Sequence, residues 1–248
     1  MALFVYGVIV ILGGGLGTDL QTNTLPTKIN FAHRGCCNNV PRNCMTAFDK
    51  AIRSGNGIET DLRLTKDDIL VLYHDDTTDV KLGILGSIAD YDYSELLNSP
   101  FIYNDSITSE RIVSLSQLLK THQNTPLYID VKTPTKELGD ILSSEIRDHT
   151  KNVLVADANI LFLSYLKFKN KHIRTVWEGF DSGKEWTYYF VPRLFKPDYL
   201  ASFRKNVTTT HIEWLVKHDL LGRKIVYGET PLDSTLDSQI PYHIVECD

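Results

Sequence analysis

Gly57-Ile58-Glu59-Thr60-Asp61-Leu62 is the stretch on which the reading of this chain turns. A short run with Ile and Thr reads as a strand, and its two carboxylates, two residues apart, then share one face. Similar short runs recur around it, at residues 28–32, 69–74, 126–131, 152–156, 172–177, 224–228 and 242–246. Helical patterns fill most of the gaps, over residues 43–54, 114–121, 136–149, 159–169 and 209–220. Strands alternating with helices predict a mostly parallel sheet. About eight of them, joined by right-handed crossovers, favour closure into a single (β/α)8 barrel over an open sheet. Two segments break the rhythm. Residues 76–112 form a long connection, expected as a short insertion after the third strand. Residues 178–200, with Trp186, Tyr188, Tyr189, Phe190 and Phe195, have room for a further strand without an assigned place.

Composition agrees with one globular domain, expected over residues 26–248. The 248 residues suit an α/β barrel, which commonly runs to about 250 residues, and 42% of them are apolar. The 15 Gly and 9 Pro are scattered without period, which excludes collagen-like and low-complexity readings. With 26 basic against 31 acidic residues and no Lys/Arg block, there is no electrostatic footprint for nucleic acid.

Residues 2–17 carry no charge and include Val8-Ile9-Val10-Ile11-Leu12. As a helix they would span only ~24 Å, short of the ~30 Å hydrocarbon core. Residues 1–17 are therefore expected to be a secretory signal, cleaved near the small-x-small triplet Gly15-Leu16-Gly17, although no basic residue precedes the apolar run. An uncleaved membrane anchor or a buried segment is the alternative. Two sequons, Asn104-Asp105-Ser106 and Asn206-Val207-Thr208, are usable only in the secretory pathway. The four cysteines, Cys36, Cys37, Cys44 and Cys247, lack the CxxC spacing of a zinc site. In an oxidising compartment Cys36 or Cys37 could close a short loop with Cys44; the alternative is free thiols packed in that loop.

The chemistry-bearing residues collect at strand ends. His33 ends the first predicted strand, Glu59 and Asp61 lie in the second, His74-Asp75 end the third, and Asp130 with Lys132 close the fourth. In a parallel barrel these ends form one mouth, where catalytic groups are found. Three carboxylates converging there would repel one another without a cation, and oxygen donors suit Mg²⁺ or Ca²⁺ better than zinc. Two histidines then supply an acid and a base near neutral pH, and Lys132 a positive charge for an anion. Taken singly, a histidine is more often structural than catalytic, and a Glu-x-Asp pair is a solvated strand edge about as often as a ligand set. Their joint placement at successive strand ends points to metal-assisted phosphoryl or phosphodiester chemistry.

In order along the chain, His33-Arg34-Gly35, Pro41-Arg42-Asn43, Ala47-Phe48, Ala51, Gly57 to Leu62, Thr65-Lys66-Asp67, His74-Asp75, Ile112-Val113-Ser114-Leu115 and Tyr128-Ile129-Asp130-Val131-Lys132 resemble the glycerophosphodiester phosphodiesterases. The likeness is strong over residues 29–132 and thin beyond. It implies a TIM barrel in which Glu59, Asp61 and Asp130 hold a divalent metal, His33 and His74 form the acid/base pair, and Arg34 and Lys132 contact phosphate. The implied reaction cleaves a glycerophosphodiester to glycerol 3-phosphate and an alcohol.

Three positions depart from that family. Arg42 and Asp130 stand where Glu is usual, and Val226-Tyr227-Gly228-Glu229 replaces Trp-Thr-Val-Asn. Arg42 could bind phosphate in place of the missing group or mark lost activity, and Tyr227 could wall the alcohol head group. The shorter Asp130, the cysteine-bearing loop and the apparent export signal also resemble the sphingomyelinase D-like branch, which acts on choline lipids such as sphingomyelin and lysolipids. A non-catalytic phosphodiester-binding barrel is the remaining alternative. The expected partner is a small-molecule or lipid-derived phosphodiester, with membrane-surface contact left open and no nucleic acid, because no basic track exists.

Overall fold

The computed structural model describes Leu25 and residues 28–247; the segment read as a signal, residues 1–17, lies outside them. Twelve strands are present among the described residues: β1 Ile29–Ala32, β2 Gly57–Leu64, β3 Leu70–Leu72, β4 Ile102–Tyr103, β5 Ser106–Ile107, β6 Val113–Ser114, β7 Leu127–Val131, β8 Val153–Asp157, β9 Arg174–Trp177, β10 Tyr199–Phe203, β11 Lys224–Tyr227 and β12 Tyr242–Val245. Eight of them, β1, β2, β7, β8, β9, β10, β11 and β12, pair in parallel around a closed ring, sealed where β1 meets β12. This is the (β/α)8 barrel expected from the alternation. Its longer helices are α1 Met45–Arg53, α2 Leu115–Thr121, α3 Lys136–Glu145, α4 Ile160–Lys169 and α5 Thr209–Lys217. No helix among the described residues is long and apolar enough to cross a membrane.

The staves differ from the sequence reading at two places. The run at 69–74 is not a stave: β3 turns back antiparallel onto Leu62–Leu64 of β2. β7 already occupies one edge of β2 across Ile58–Leu62. β3 therefore takes the other edge, which β1 occupies only at Gly57 and Ile58, and carries His74 back to the rim above β1. The missing stave is β10, which begins at the end of the aromatic-rich segment and runs beyond it to Phe203. Two short 3₁₀ turns, Glu185–Phe190 and Arg193–Phe195, precede it where the pattern calls for a helix. The insertion holds short helices at Asp79–Leu82 and Tyr93–Leu97 and the β4–β5 hairpin, all under a small core of their own with Tyr73, Leu82, Leu96 and Phe101.

Period-two alternation sorts the staves' side chains into two layers. Phe31, Tyr128, Leu154, Val176, Tyr199, Ile225 and Tyr242 point inward and fill the barrel. Ile58, Leu62, Ile129, Val153 and Val155 point outward and meet the helices. In α1, Phe48 and Ala51 cover this outer layer, while the buried Ala47 packs with the core of the insertion. Large rings thus fill the lower barrel, and the acidic groups singled out from the sequence gather at the carboxyl ends of the staves.

The cysteine pairing also differs. Cys36 is bonded to Cys247, with Cα atoms 4.8 Å apart, and Cys44 is a buried thiol that donates to the Pro41 carbonyl at 3.0 Å. A partner 211 residues away is brought alongside by barrel closure, which local spacing cannot show.

Candidate active site at the barrel mouth

The turn after β1 positions one side of the site. Arg34 (φ 57°) and Gly35 (φ 79°) are both left-handed, and together they swing the chain back across the mouth. Arg34 N–H then donates to Glu59 Oε2 at 2.7 Å. A Cβ on Gly35 would lie 2.7 Å from the backbone carbon of Ala47, at the start of α1. Gly35→Ala is expected to lower stability by about 1–3 kcal/mol from backbone strain and clash combined, read as a fall in the urea midpoint.

Glu59 and Asp61 from β2 and Asp130 from β7 each place a carboxylate oxygen within 4.8 Å of the others. Register explains this, since Asp61 lies opposite Asp130 and both share the inward parity of Glu59. Two cations face the three acids. Lys132 Nζ lies 2.8 Å from Asp61 Oδ1 and also pairs with Asp130, and Arg34 Nε lies 3.1 Å from Asp61 Oδ2. Asn43 completes the set by donating to Asp61 Oδ2 at 2.8 Å while Thr60 donates to its Oδ1 at 2.8 Å.

These partners divide the acids. Burial works to raise Asp61, but Lys132 and Arg34 outweigh it and hold the carboxyl below its usual range. Glu59 is raised well above its usual value, first by burial and then by the charges of Asp61 and Asp130. Oxygen donors this close, one of them buried with excess negative charge around it, could hold a divalent cation. A cation needs Glu59 ionised and its carboxyl is raised, so binding is expected to release protons and to weaken as pH falls. Calorimetry of Mg²⁺ or Ca²⁺ binding in buffers of different ionisation enthalpy measures that release.

The cleft above the carboxylates has a volume of about 750 Å³. His33, Arg34, Glu59, Asp61, Asp130, Lys132 and Tyr227 all line it, so seven of the nine residues singled out from the sequence meet there. His74 and Arg42 are not in its wall. His74 sits half-exposed on the rim, its Nδ1 2.7 Å from Asp75 Oδ1, and its carbonyl accepts from Arg63 Nη2 at 2.6 Å. Arg42 turns instead to Glu246, with Nη2 3.1 Å from Oε2.

Three carboxylates at the mouth escaped the sequence reading. Asp157 ends β8, Glu178 follows β9 and Glu246 follows β12. Glu178 accepts from Tyr128 O–H at 2.6 Å and is pushed up to about 7 by burial and the nearby Asp130. Asp157 is pushed up to about 6 by burial. The rule that found Asp130, an acid at the carboxyl end of a stave, applies equally to these three. Around the rim between Glu178 and Glu246, Phe203 at the end of β10 and Tyr227 at the end of β11 pack their rings 4.6 Å apart, and Gly228 makes room, since a Cβ there would lie 2.7 Å from the Phe203 ring.

Comparison with known proteins places this geometry. A glycerophosphodiester phosphodiesterase from Bacillus altitudinis is 48% identical over 71 residues, 28% of this chain and 29% of that protein. One from Caldanaerobacter subterraneus subsp. tengcongensis is 37% identical over 105 residues, 41% of this chain and 43% of that protein. The matched stretches thus span less than half the length of these relatives. Among solved structures, a glycerophosphodiester phosphodiesterase from Agrobacterium tumefaciens superposes with a TM-score of 0.73 at 19% identity, covering 90% of this chain and 97% of that one. A phosphodiesterase from Oleispira antarctica, solved with its product sn-glycerol-3-phosphate, gives 0.71 at 16% identity, covering 88% and 92%. At such identities these two establish the fold alone. The model of the glycerophosphoryl diester phosphodiesterase family matches residues 33–176, from the first histidine to the fifth stave and more than half of the chain, and the chain belongs to that family.

Proposed function

We propose that the chain hydrolyses a glycerophosphodiester to glycerol 3-phosphate and an alcohol with the aid of a divalent cation. The observation that carries this reading is the Glu59–Asp61–Asp130 cluster set against Arg34, Lys132 and His33 in one cleft. Family membership and the product held by the Oleispira antarctica phosphodiesterase support it. A cation on the three carboxylates would polarise a phosphoryl oxygen and offset its charge. Lys132, held in its charged form by Asp61 and Asp130 against the opposing effect of burial, and Arg34 bind the remaining phosphate oxygens. His33 and His74 divide the two proton transfers, one drawing a proton from the attacking oxygen and the other protonating the leaving alcohol. Phe203 and Tyr227 offer an apolar wall to the organic part of the substrate.

The test is release of glycerol 3-phosphate from glycerophosphocholine by the purified protein, with EDTA and with added Mg²⁺ or Ca²⁺. Metal-dependent release is expected. Silence on this substrate, with turnover of sphingomyelin or lysophosphatidylcholine run beside it, would overturn the reading.

The same reading extends to compartment. The Cys36–Cys247 bond fits an oxidising environment, and Asn104 of the first sequon lies exposed at the tip of the β4–β5 hairpin. Export therefore predicts a chain that starts near residue 18 and carries a glycan at Asn104. A soluble cytosolic form that keeps residues 1–17 would overturn it.

A further inference from the structure

The end of β12 carries a carboxylate aimed at the first histidine. Glu246 Oε1 makes a short contact with His33 Nδ1. Its other oxygen, Oε2, accepts from Arg42 Nη2 at 3.1 Å, while Arg42 Nη1 lies 3.5 Å from Oε1 and 3.3 Å from His33 Nδ1. Both chain neighbours of Glu246 are tied to the segment that carries His33. The Val245 carbonyl accepts from His33 N–H at 2.8 Å, and Cys247 is bonded to Cys36.

We infer that Glu246 is the positioning residue for His33, and that Arg42 is the clamp that holds Glu246 to this task. The inference rests on the role of His33 proposed above. A carboxylate only accepts, so the ring nitrogen it contacts must carry the proton. That fixes the neutral ring with its proton on Nδ1 and leaves the Nε2 lone pair for the cleft. Arg42 only donates, so it cannot replace Glu246 as the acceptor for Nδ1–H, and its contact with Nδ1 follows from sharing the carboxylate. The Arg at position 42 thereby gains a role that needs no contact with substrate: it neutralises a carboxylate supplied from the last stave and fixes its orientation.

An amide separates this from a merely structural part. In Glu246→Gln the single acceptor oxygen goes to Arg42, and the amide NH₂ is turned to His33. Nδ1 must then accept, and the ring is driven to the tautomer with its proton on Nε2. Removing the clamp as well, in Arg42→Met/Glu246→Gln, frees the amide to rotate and offer its oxygen to Nδ1–H.

The experiment is nitrogen NMR of the ¹⁵N-histidine-labelled full chain, with His33 assigned by its loss in His33→Asn, together with steady-state kinetics on glycerophosphocholine. The wild type is expected to show His33 protonated on Nδ1, and Glu246→Gln to show it protonated on Nε2. kcat in the single variant should fall by about 10–100-fold, as for other orienting partners of functional histidines, with KM little changed. The double variant should regain the Nδ1 proton and most of the lost kcat. An unchanged tautomer in Glu246→Gln, or a double variant no more active than the single one, would overturn the inference. If the wild type turns over no diester, the proposed activity fails while the tautomer measurement still decides the role of Glu246.

Discussion

Asp61→Asn is expected to cut turnover of glycerophosphocholine by about a thousandfold, equivalent to roughly 4 kcal/mol of transition-state stabilisation. The side chain is 1% exposed and sits between Lys132, Arg34 and Asn43. The amide keeps its shape but withdraws one of the three charges from the cluster. Stability follows a separate sign. Because the Asp61 carboxyl is held below its usual range, its ionised form contributes to folding above the unfolded pKa, and the contribution is lost as pH falls through the lower folded value. Removing the charge should therefore cost roughly 1.5–3 kcal/mol at neutral pH, the worth of a charge-assisted hydrogen bond. A folded domain survives that, so circular dichroism should show native structure while turnover is nearly absent. Turnover within tenfold of wild type would remove Asp61 from the metal set.

Cys36→Ser/Cys247→Ser is expected to lower the free energy of unfolding by ~2–5 kcal/mol, toward the upper end of that range because the closed loop is long. The bond joins cysteines 211 residues apart, so its loss greatly enlarges the unfolded ensemble. Guanidinium unfolding of wild type and variant, each with and without reductant, measures the difference. Reductant should bring the wild type down to the variant and leave the variant where it is. Equal midpoints for the two proteins without reductant would mean that the bond does not form in solution.

Most of the barrel could be read from the chain because its staves are short apolar runs between amphipathic helices. α1 shows why this works: Ala47, Phe48 and Ala51 fall on one face at helical spacing. β10 escaped because the 3₁₀ turns before it carry their aromatics without helical period. Leu70–Leu72 was misplaced because a three-residue apolar run carries no information about the direction of its partner. The same division runs through the site. Glu59, Asp61 and Asp130 were legible since each stands within a stave and its neighbours fix its parity. Glu246 was open to the same rule, but its pairing with His33 and the Cys36–Cys247 bond were not, since both depend on the register in which the last strand meets β1, and nothing local to residues 242–247 sets that register. Arg42, which reads as a misplaced charge, makes sense only against Glu246.

The seam between β1 and β12 also sets a clock. His33 and Glu246 are 213 residues apart, and contacts of such separation must meet the full loop-closure cost before they return any stabilisation. A ribosome delivers β1 first and β12 last, so the ring stays open and the first histidine lacks its carboxylate for nearly the whole of synthesis. Closure of the ring therefore arrives with the final strand, and a chain truncated before residue 242 would carry Glu59, Asp61 and Asp130 but neither the β1–β12 seam nor the Glu246 partner of His33.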